Sequence, residues 1–318
     1  MAKNTATTLT ASDELPVQAR GGDSLWSRIW EARWMYVFIA PPVIAFLVFF
    51  IYPALFALYS SFFKFNHFKF LPLDSPFDNY TRALRDPQVR RGFLNVIELF
   101  LLSFFPGQAL SLFVAVLLNN LKKAVGFFRT IYYLPMVTST VVVSALFRWI
   151  MRSDAGGFAN VLLYKLTGLG PIRWLWQEAL VVPSIALISV WSGVGGGVII
   201  WTAGLKGIPR ELYEAATIDG ANRWQQFWKV TLPMLKPIAL YNLVMGFIGG
   251  MKAFGLNLVL TGGGPGYAST TPVLIVYQYG FGRLQMGYAS AVAYILSIVL
   301  MAISLLQFKW FGNIELYD

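Results

Sequence analysis

The sequence predicts an all-α, polytopic membrane protein with six membrane-spanning helices and a helix-Gly-helix loop set between the fourth and the fifth. Three observations predict it. Hydrophobic residues fill 57% of the 318 positions and charged residues 13%, with a mean hydropathy of +0.59, whereas soluble domains sit near about 45–50% apolar and about 25% charged. Several apolar runs reach the ~20 residues that a helix needs to cross ~30 Å of hydrocarbon. Residues 206–237 then break the apolar pattern with the highest charge density of the C-terminal half.

The elements follow in order. Residues 1–34 form a flexible N-terminal tail, polar at first and without the basic-then-apolar order of a cleavable signal peptide. The first span, about 35–63, contains Pro41, Pro42 and Pro53, which neighbouring helices tolerate in a membrane but which kink the helix. Residues 64–91 read as a loop, with the turn signals Leu71-Pro72, Ser75-Pro76 and Asp86-Pro87 and a short surface helix at 80–84. His67, the one histidine, lies there among aromatics as an ordinary interfacial residue.

The second span covers about 93–121 and the third about 130–151. Between them a tight turn carries Lys122, Lys123 and Arg129, and a short Lys/Arg-rich turn reads as cytoplasmic. Residues 152–179 are Gly-rich and end in Trp174 and Trp176, aromatics of the kind that sit at headgroup level. The fourth span, about 180–205, precedes the charged loop 206–237, and the fifth follows at about 238–260. A Gly-rich loop, 261–271, and a short amphipathic piece lead to the sixth span, about 284–308. The transmembrane domain thus occupies 35–310, with a tail at 311–318. Six spans put both termini on one side.

Composition excludes several functions. The net charge of +10 comes largely from short loops, where Lys and Arg meet lipid headgroups and set topology rather than bind nucleic acid. With no cysteine and a single histidine, a thiolate or His-rich metal site, a cysteine nucleophile and a Ser-His-Asp triad are ruled against. No GxxxxGK[ST] loop is present, and the glycine runs 195–197 and 262–264 lack the Lys and hydroxyl of a phosphate cradle. They read as close-packing positions and as a turn. The chain is expected to hold no catalytic residue, metal or cofactor.

Within the charged loop, Pro209 suits a first helical turn, Glu211 and Glu214 favour a helix N-terminus, and Gly220 suits a C-terminal stop. A second helix follows over 221–230, with Phe227 and Trp228 among polar residues, and Leu232-Pro233 ends it. By helix rules alone this hairpin either links two spans with its charges in water or carries a function of its own.

Glu214-Ala215-Ala216, Gly220 four residues later, and Leu232-Pro233 resemble the cytoplasmic EAA loop of permeases in binding-protein-dependent ABC importers. Arg129-Thr130-Ile131-Tyr132-Tyr133-Leu134-Pro135 and Thr261-Gly262-Gly263-Gly264-Pro265 resemble the sugar branch of that family, the permeases for maltose-like oligosaccharides and glycerol phosphate. With Tyr52-Pro53, Ser60 and Asn79-Tyr80, the likeness covers about 35–310. It departs at Gly255, where the family often carries an acid.

The resemblance implies the inner membrane subunit of an ATP-driven importer of a sugar-type solute, with both termini cytoplasmic. Its partners would be a second, similar permease, two ATP-binding subunits that hold ATP and Mg, an external solute-binding protein, and membrane lipid. Hydrolysis would occur on the ATPases, making this chain no enzyme. Glu211, Glu214, Ala215, Ala216, Asp219, Gly220 and Pro233 would contact an ATPase. Charge bias alone does not set this orientation, because 13 Lys and Arg fall on the proposed cytoplasmic side and 11 outside.

Ionisable groups inside apolar runs point to a pathway, since each costs about 2.5–3.5 kcal/mol at mid-helix unless it faces protein or water. Glu98 and Lys252 are the two, and they either pair with each other or face a cavity with Asn95, Asn242 and Asn257. Glu98 also lies near a helix start, within reach of an interface. Trp191 and Tyr241 join Asn242 and Asn257 as wall residues able to stack on and hydrogen-bond a sugar. Lys252 and Arg148 leave room for an anionic substrate. Two other functions compete: a proton-coupled secondary transporter using Glu98, and a polytopic membrane enzyme using acids such as Asp74, Asp78 and Asp86.

Overall fold

The computed structural model describes residues 30, 33–66, 69–121, 123 and 125–311. The two tails, His67 and Lys122 therefore fall wholly or largely outside the described residues. The chain divides into two compact units, Met1–Phe56 and Ala57–Asp318. Among the described residues five helices are long and apolar enough to cross a membrane, and a sixth span is made if two helices bent by 95° count as one.

The first unit holds α1 (Arg33–Phe46), a π-helical turn (Leu47–Ile51) and the start of α2 (Tyr52–Ser61). Pro53 explains the π turn. It has no N–H for the carbonyl four residues back, and the Tyr52 N–H reaches Leu47, five residues back, so the ladder is rewound rather than sharply kinked.

The second unit begins with a small antiparallel hairpin, β1 (Lys64–Asn66) and β2 (Lys69–Leu71), that the loop reading of 64–91 does not contain. Phe65 opposes Phe70 with ring centroids 4.2 Å apart. The short helix α3 covers Asp78–Arg85, and α4 covers Pro87–Asn120. The second span thus starts well before 93. Asp86-Pro87, read as a turn, is a helix start, with the Asp86 carboxylate accepting from the Gln88 N–H at 2.8 Å and Pro87 at the position where its missing donor costs nothing.

The third span, expected at about 130–151, is two helices, α5 (Val125–Val137) and α6 (Thr140–Ile150), meeting at 95°. Ser139 leaves the helical region at φ −56° and ψ 137° and caps α6 by accepting from the Val141 N–H. The polar trio Thr138-Ser139-Thr140 was the available signal. In 152–179 a further helix appears, α7 (Phe158–Thr167). The loop is organised by buried Asn160, whose amide donates to the carbonyls of Arg152, Asp154 and Ile172 and accepts from the Trp174 indole. Trp174 therefore serves the loop.

The central element is α8 (Glu178–Lys206), which packs against α4 and α5. Without a hydrophobic drive in lipid, such packing depends on close approach, and small residues permit it. A Cβ on Gly195 would lie 2.5 Å from the Tyr132 carbonyl oxygen, and one on Gly197 would lie 2.4 Å from Ser111 Oγ. The glycine run is a packing surface.

Beyond α8 come α9 (Arg210–Ile218), α10 (Arg223–Gln226), a π turn (Phe227–Thr231) and α11 (Leu232–Met234). The fifth span divides into α12 (Lys236–Met251) and α13 (Gly255–Thr261). A short α14 (Pro272–Tyr277) and a π turn (Gln278–Gly282) lead to α15 (Met286–Phe311).

Candidate functional site

The hairpin between α8 and α12 is built to be stiff. α9 ends in a double hydrogen-bonded cap in which Gly220, at φ +78°, donates to the Thr217 carbonyl at 3.0 Å and Ala221 donates to the Ala216 carbonyl at 2.9 Å. That cap requires a left-handed residue four places after Ala216, which is why glycine stands there. Asn222 and Gln225 then cap α10 reciprocally, each side chain bonding the other's backbone N–H at 2.9 Å. Gln226 donates to Thr217 at 2.9 Å, and the Tyr213 and Thr231 hydroxyls meet at 2.9 Å, so the two arms are cross-linked.

At its base the hairpin is gripped by buried Trp201, Leu205, Ile208 and Leu235, with Tyr213, Met234 and Ile238 packed against them. Gly204 lets the end of α8 meet the start of α12, since a Cβ there would lie 2.9 Å from both Leu235 and Ile238. The outer surface is different. Glu211, Glu214, Ala215, Asp219 and Gly220 are exposed, while Ala216 and Pro233 are half-buried. On the same hairpin Ile218 is 86% exposed, and Trp224 (69%) and Trp228 (50%) meet with ring centroids 5.6 Å apart, exposed apolar surface of the kind that marks a protein contact. Ile218 and Trp224 escaped sequence reasoning because single apolar residues in a polar stretch carry no sign of which way they face.

Of the predicted pathway residues, the structure brings Asn95 and Asn257 to the same loop and leaves Glu98 and Lys252 unpaired with each other. Glu98 is half-buried and Lys252 exposed, and no ion pair joins them; among the described residues the ion pair that forms is Arg152–Asp154. Of the two alternatives, the pairing does not form: Glu98 lies on α4 and Lys252 just past α12. Asn95 and Asn257 are buried and turned to the Gly-rich loop, Asn95 donating to the carbonyls of Tyr267 and Thr270 and Asn257 to that of Ser269. Asn242 is buried with its amide nitrogen unpartnered. Trp191 packs edge-on to Phe147 at 5.3 Å, and Tyr241 is half-exposed. Arg148 donates from Nη2 to the carbonyls of Val259 and Leu260, closing the C-terminal end of α13.

A cavity of about 360 Å³ instead opens between α4, α8 and α12, lined by Ser103, Gln108, Ser111 and Ser189 with glycines of α12. None of the predicted pathway residues lines it. Two of the three acids named for an enzyme are committed elsewhere: Asp78 accepts from the Ser75 N–H, and Asp86 accepts from Gln88 and from the Tyr288 hydroxyl. Among the described residues no group of three or more His, Cys, Asp or Glu could hold a metal.

Residues 107–312 match the family described as the binding-protein-dependent transport system inner membrane component. This chain belongs to that family. The permease is 34% identical over 307 residues to the arabinooligosaccharides transport system permease protein AraP of Bacillus subtilis, covering 94% of this chain and 96% of that one. It is 33% identical over 288 residues to the multiple sugar-binding transport system permease protein MsmF of Streptococcus mutans, covering 89% and 96%. Among solved structures, a bacterial ABC transporter involved in import of the acidic polysaccharide alginate superposes with a TM-score of 0.81 at 25% identity, covering 92% of the permease and all of that chain. The membership accounts for the helical, multi-pass fold and for a role in transport rather than catalysis.

Proposed function

We propose that this permease is the transmembrane half-pathway of an ATP-driven ABC importer for an oligosaccharide or related solute. The cargo class is supported by the likeness to AraP and MsmF, permeases named for arabinooligosaccharides and for multiple sugars. Delivery by an external binding protein is supported by the family description. The complex would hold a second, similar permease and two ATPase subunits, on which ATP and Mg are bound.

The observation that carries the reading is the hairpin 209–235. It is internally cross-linked, held at its base by the ends of two spans, and exposes carboxylates beside Ile218, Trp224 and Trp228. A rigid lever of this kind turns closure of an ATPase dimer into rotation of α8 and α12, the two-state coupling that transport requires. Glu211, Glu214, Ala215, Ala216, Asp219, Gly220 and Pro233 form or shape its contact, and the hairpin and both termini then lie in the cytoplasm. The pathway is assigned to the cavity between α4, α8 and α12, with Asn242, whose buried amide nitrogen lacks a partner, as a nearby donor.

The test is co-purification with the ATPase and uptake driven by ATP. Glu214→Lys and Gly220→Pro are expected to release the ATPase while membrane insertion stays intact. Retention of the ATPase and of normal uptake in both variants would refute the coupling role, and uptake driven by a pH gradient without ATP would favour the secondary transporter.

A further inference from the structure

The motif Arg129-Thr130-Ile131-Tyr132-Tyr133 has no part in the hairpin or in the cavity between α4, α8 and α12. It lines a separate groove of about 500 Å³ where α4 ends, α5 begins and α8 ends. The inner wall of the groove is apolar, made by Leu118, Val125, Ile199 and Ala203. Its rim is polar: Arg129, Lys206, Asn119 and Thr202 line the same space, with Tyr132 and Tyr133 between rim and wall. Among the described residues no carboxylate lines it.

The depth of the groove follows from the helices that make it. Lys206 is the last residue of the α8 span, and Asn119 closes the α4 span. Both close apolar spans long enough to cross the hydrocarbon, which sets them at the headgroup end of those helices. Ile199 sits seven residues inside Lys206, about 10 Å deeper at 1.5 Å per residue, which is acyl-chain depth. Two cations and hydrogen-bonding groups over an apolar slot match one ligand: a phosphate ester with a hydrocarbon tail. A neutral sugar would leave both cations without a counter-charge, and a water-soluble anion would leave the apolar wall uncovered.

We infer that this groove is a binding site for an anionic phospholipid of the surrounding bilayer, its phosphate between Arg129 and Lys206 and one acyl chain along Leu118 and Ile199. The site adjoins the base of the hairpin, since Lys206 immediately precedes it and buried Leu205 and Ile208 grip it. A lipid seated there braces the ends of α4 and α8 against each other. The inference does not depend on which face of the membrane the hairpin occupies.

The test uses the full chain in nanodiscs of dioleoylphosphatidylcholine with a minor fraction of dioleoylphosphatidylglycerol, counting retained lipids by native mass spectrometry. The expected result is phosphatidylglycerol enriched on the wild type, with the preference falling about fivefold for each cation removed in Arg129→Gln and Lys206→Gln. Arg129→Lys with Lys206→Arg should keep it, which separates charge recognition from misfolding. An unchanged preference in the double glutamine variant would overturn the assignment. Equal competition by soluble glycerol 3-phosphate would also overturn it, as a plain anion site, and so would loss of the preference once the partner subunits are assembled, as a groove filled by protein.

Discussion

Replacing Gly220 by alanine isolates one physical term. The residue sits at φ +78° and a Cβ there would meet nothing within 4 Å, so the substitution introduces no clash and changes only the cost of the left-handed backbone. That cost is about 1–2 kcal/mol for an L-residue, and a shift of that size changes a local opening equilibrium roughly 5–30-fold. The reporters are the amides the turn protects, Gly220 donating to Thr217 and Ala221 donating to Ala216. Hydrogen exchange of peptides covering 215–226 should therefore accelerate by that factor in Gly220→Ala, while peptides from α8 are unchanged. Asparagine tolerates the left-handed region better, so Gly220→Asn should fall between glycine and alanine. Equal exchange in all three, or faster exchange throughout α8, would refute the view that one backbone conformation sets the stiffness of the hairpin.

Three further outcomes are expected. Gly197→Val should lower the thermal midpoint in detergent by overpacking worth about 1–3 kcal/mol, because its Cβ would fall 2.4 Å from Ser111 Oγ, whereas Gly193→Ala, with open space around it, should leave the midpoint near that of the wild type. Asn257→Ala removes the donor to the buried Ser269 carbonyl and should cost about 1–3 kcal/mol, read as a lower midpoint and faster proteolysis in the loop 261–271. The Arg152 guanidinium beside Asp154, with the backbone N–H groups of Gly156 and Gly157, holds that carboxyl below its ordinary range. The small stabilisation is present at neutral pH and lost as pH falls through the lowered value, so Arg152→Gln and wild type should have converging midpoints only in acid.

The hairpin shows how far local rules reach. Pro209, Gly220 and Asn222 specify helix, left-handed stop and helix again through contacts within a few residues, and the structure contains that order. Asp86-Pro87 shows the limit, since the same dipeptide serves a turn or a helix start, and the choice is made partly by Tyr288, 202 residues away, donating to the Asp86 carboxylate. The pathway is the part that local rules reach least. Asn95, Glu98, Lys252 and Asn257 are unusual in apolar segments, but oddity in one helix does not say what faces it. Asn95 and Asn257 turned to loop carbonyls, and the cavity formed around serines that look ordinary in sequence.

The sequence by itself determined the solvent, the number of apolar segments and the stiff charged loop between two of them, because hydropathy, helix length and caps act over a turn or a span. Only the tertiary structure decided where α5 and α6 bend apart, which polar groups pair, and which small residues bring helices together to leave a cavity or a groove. Those depend on partners far along the chain, and in lipid, where apolar faces do not sort themselves from their solvent, close packing and hydrogen bonding make that choice.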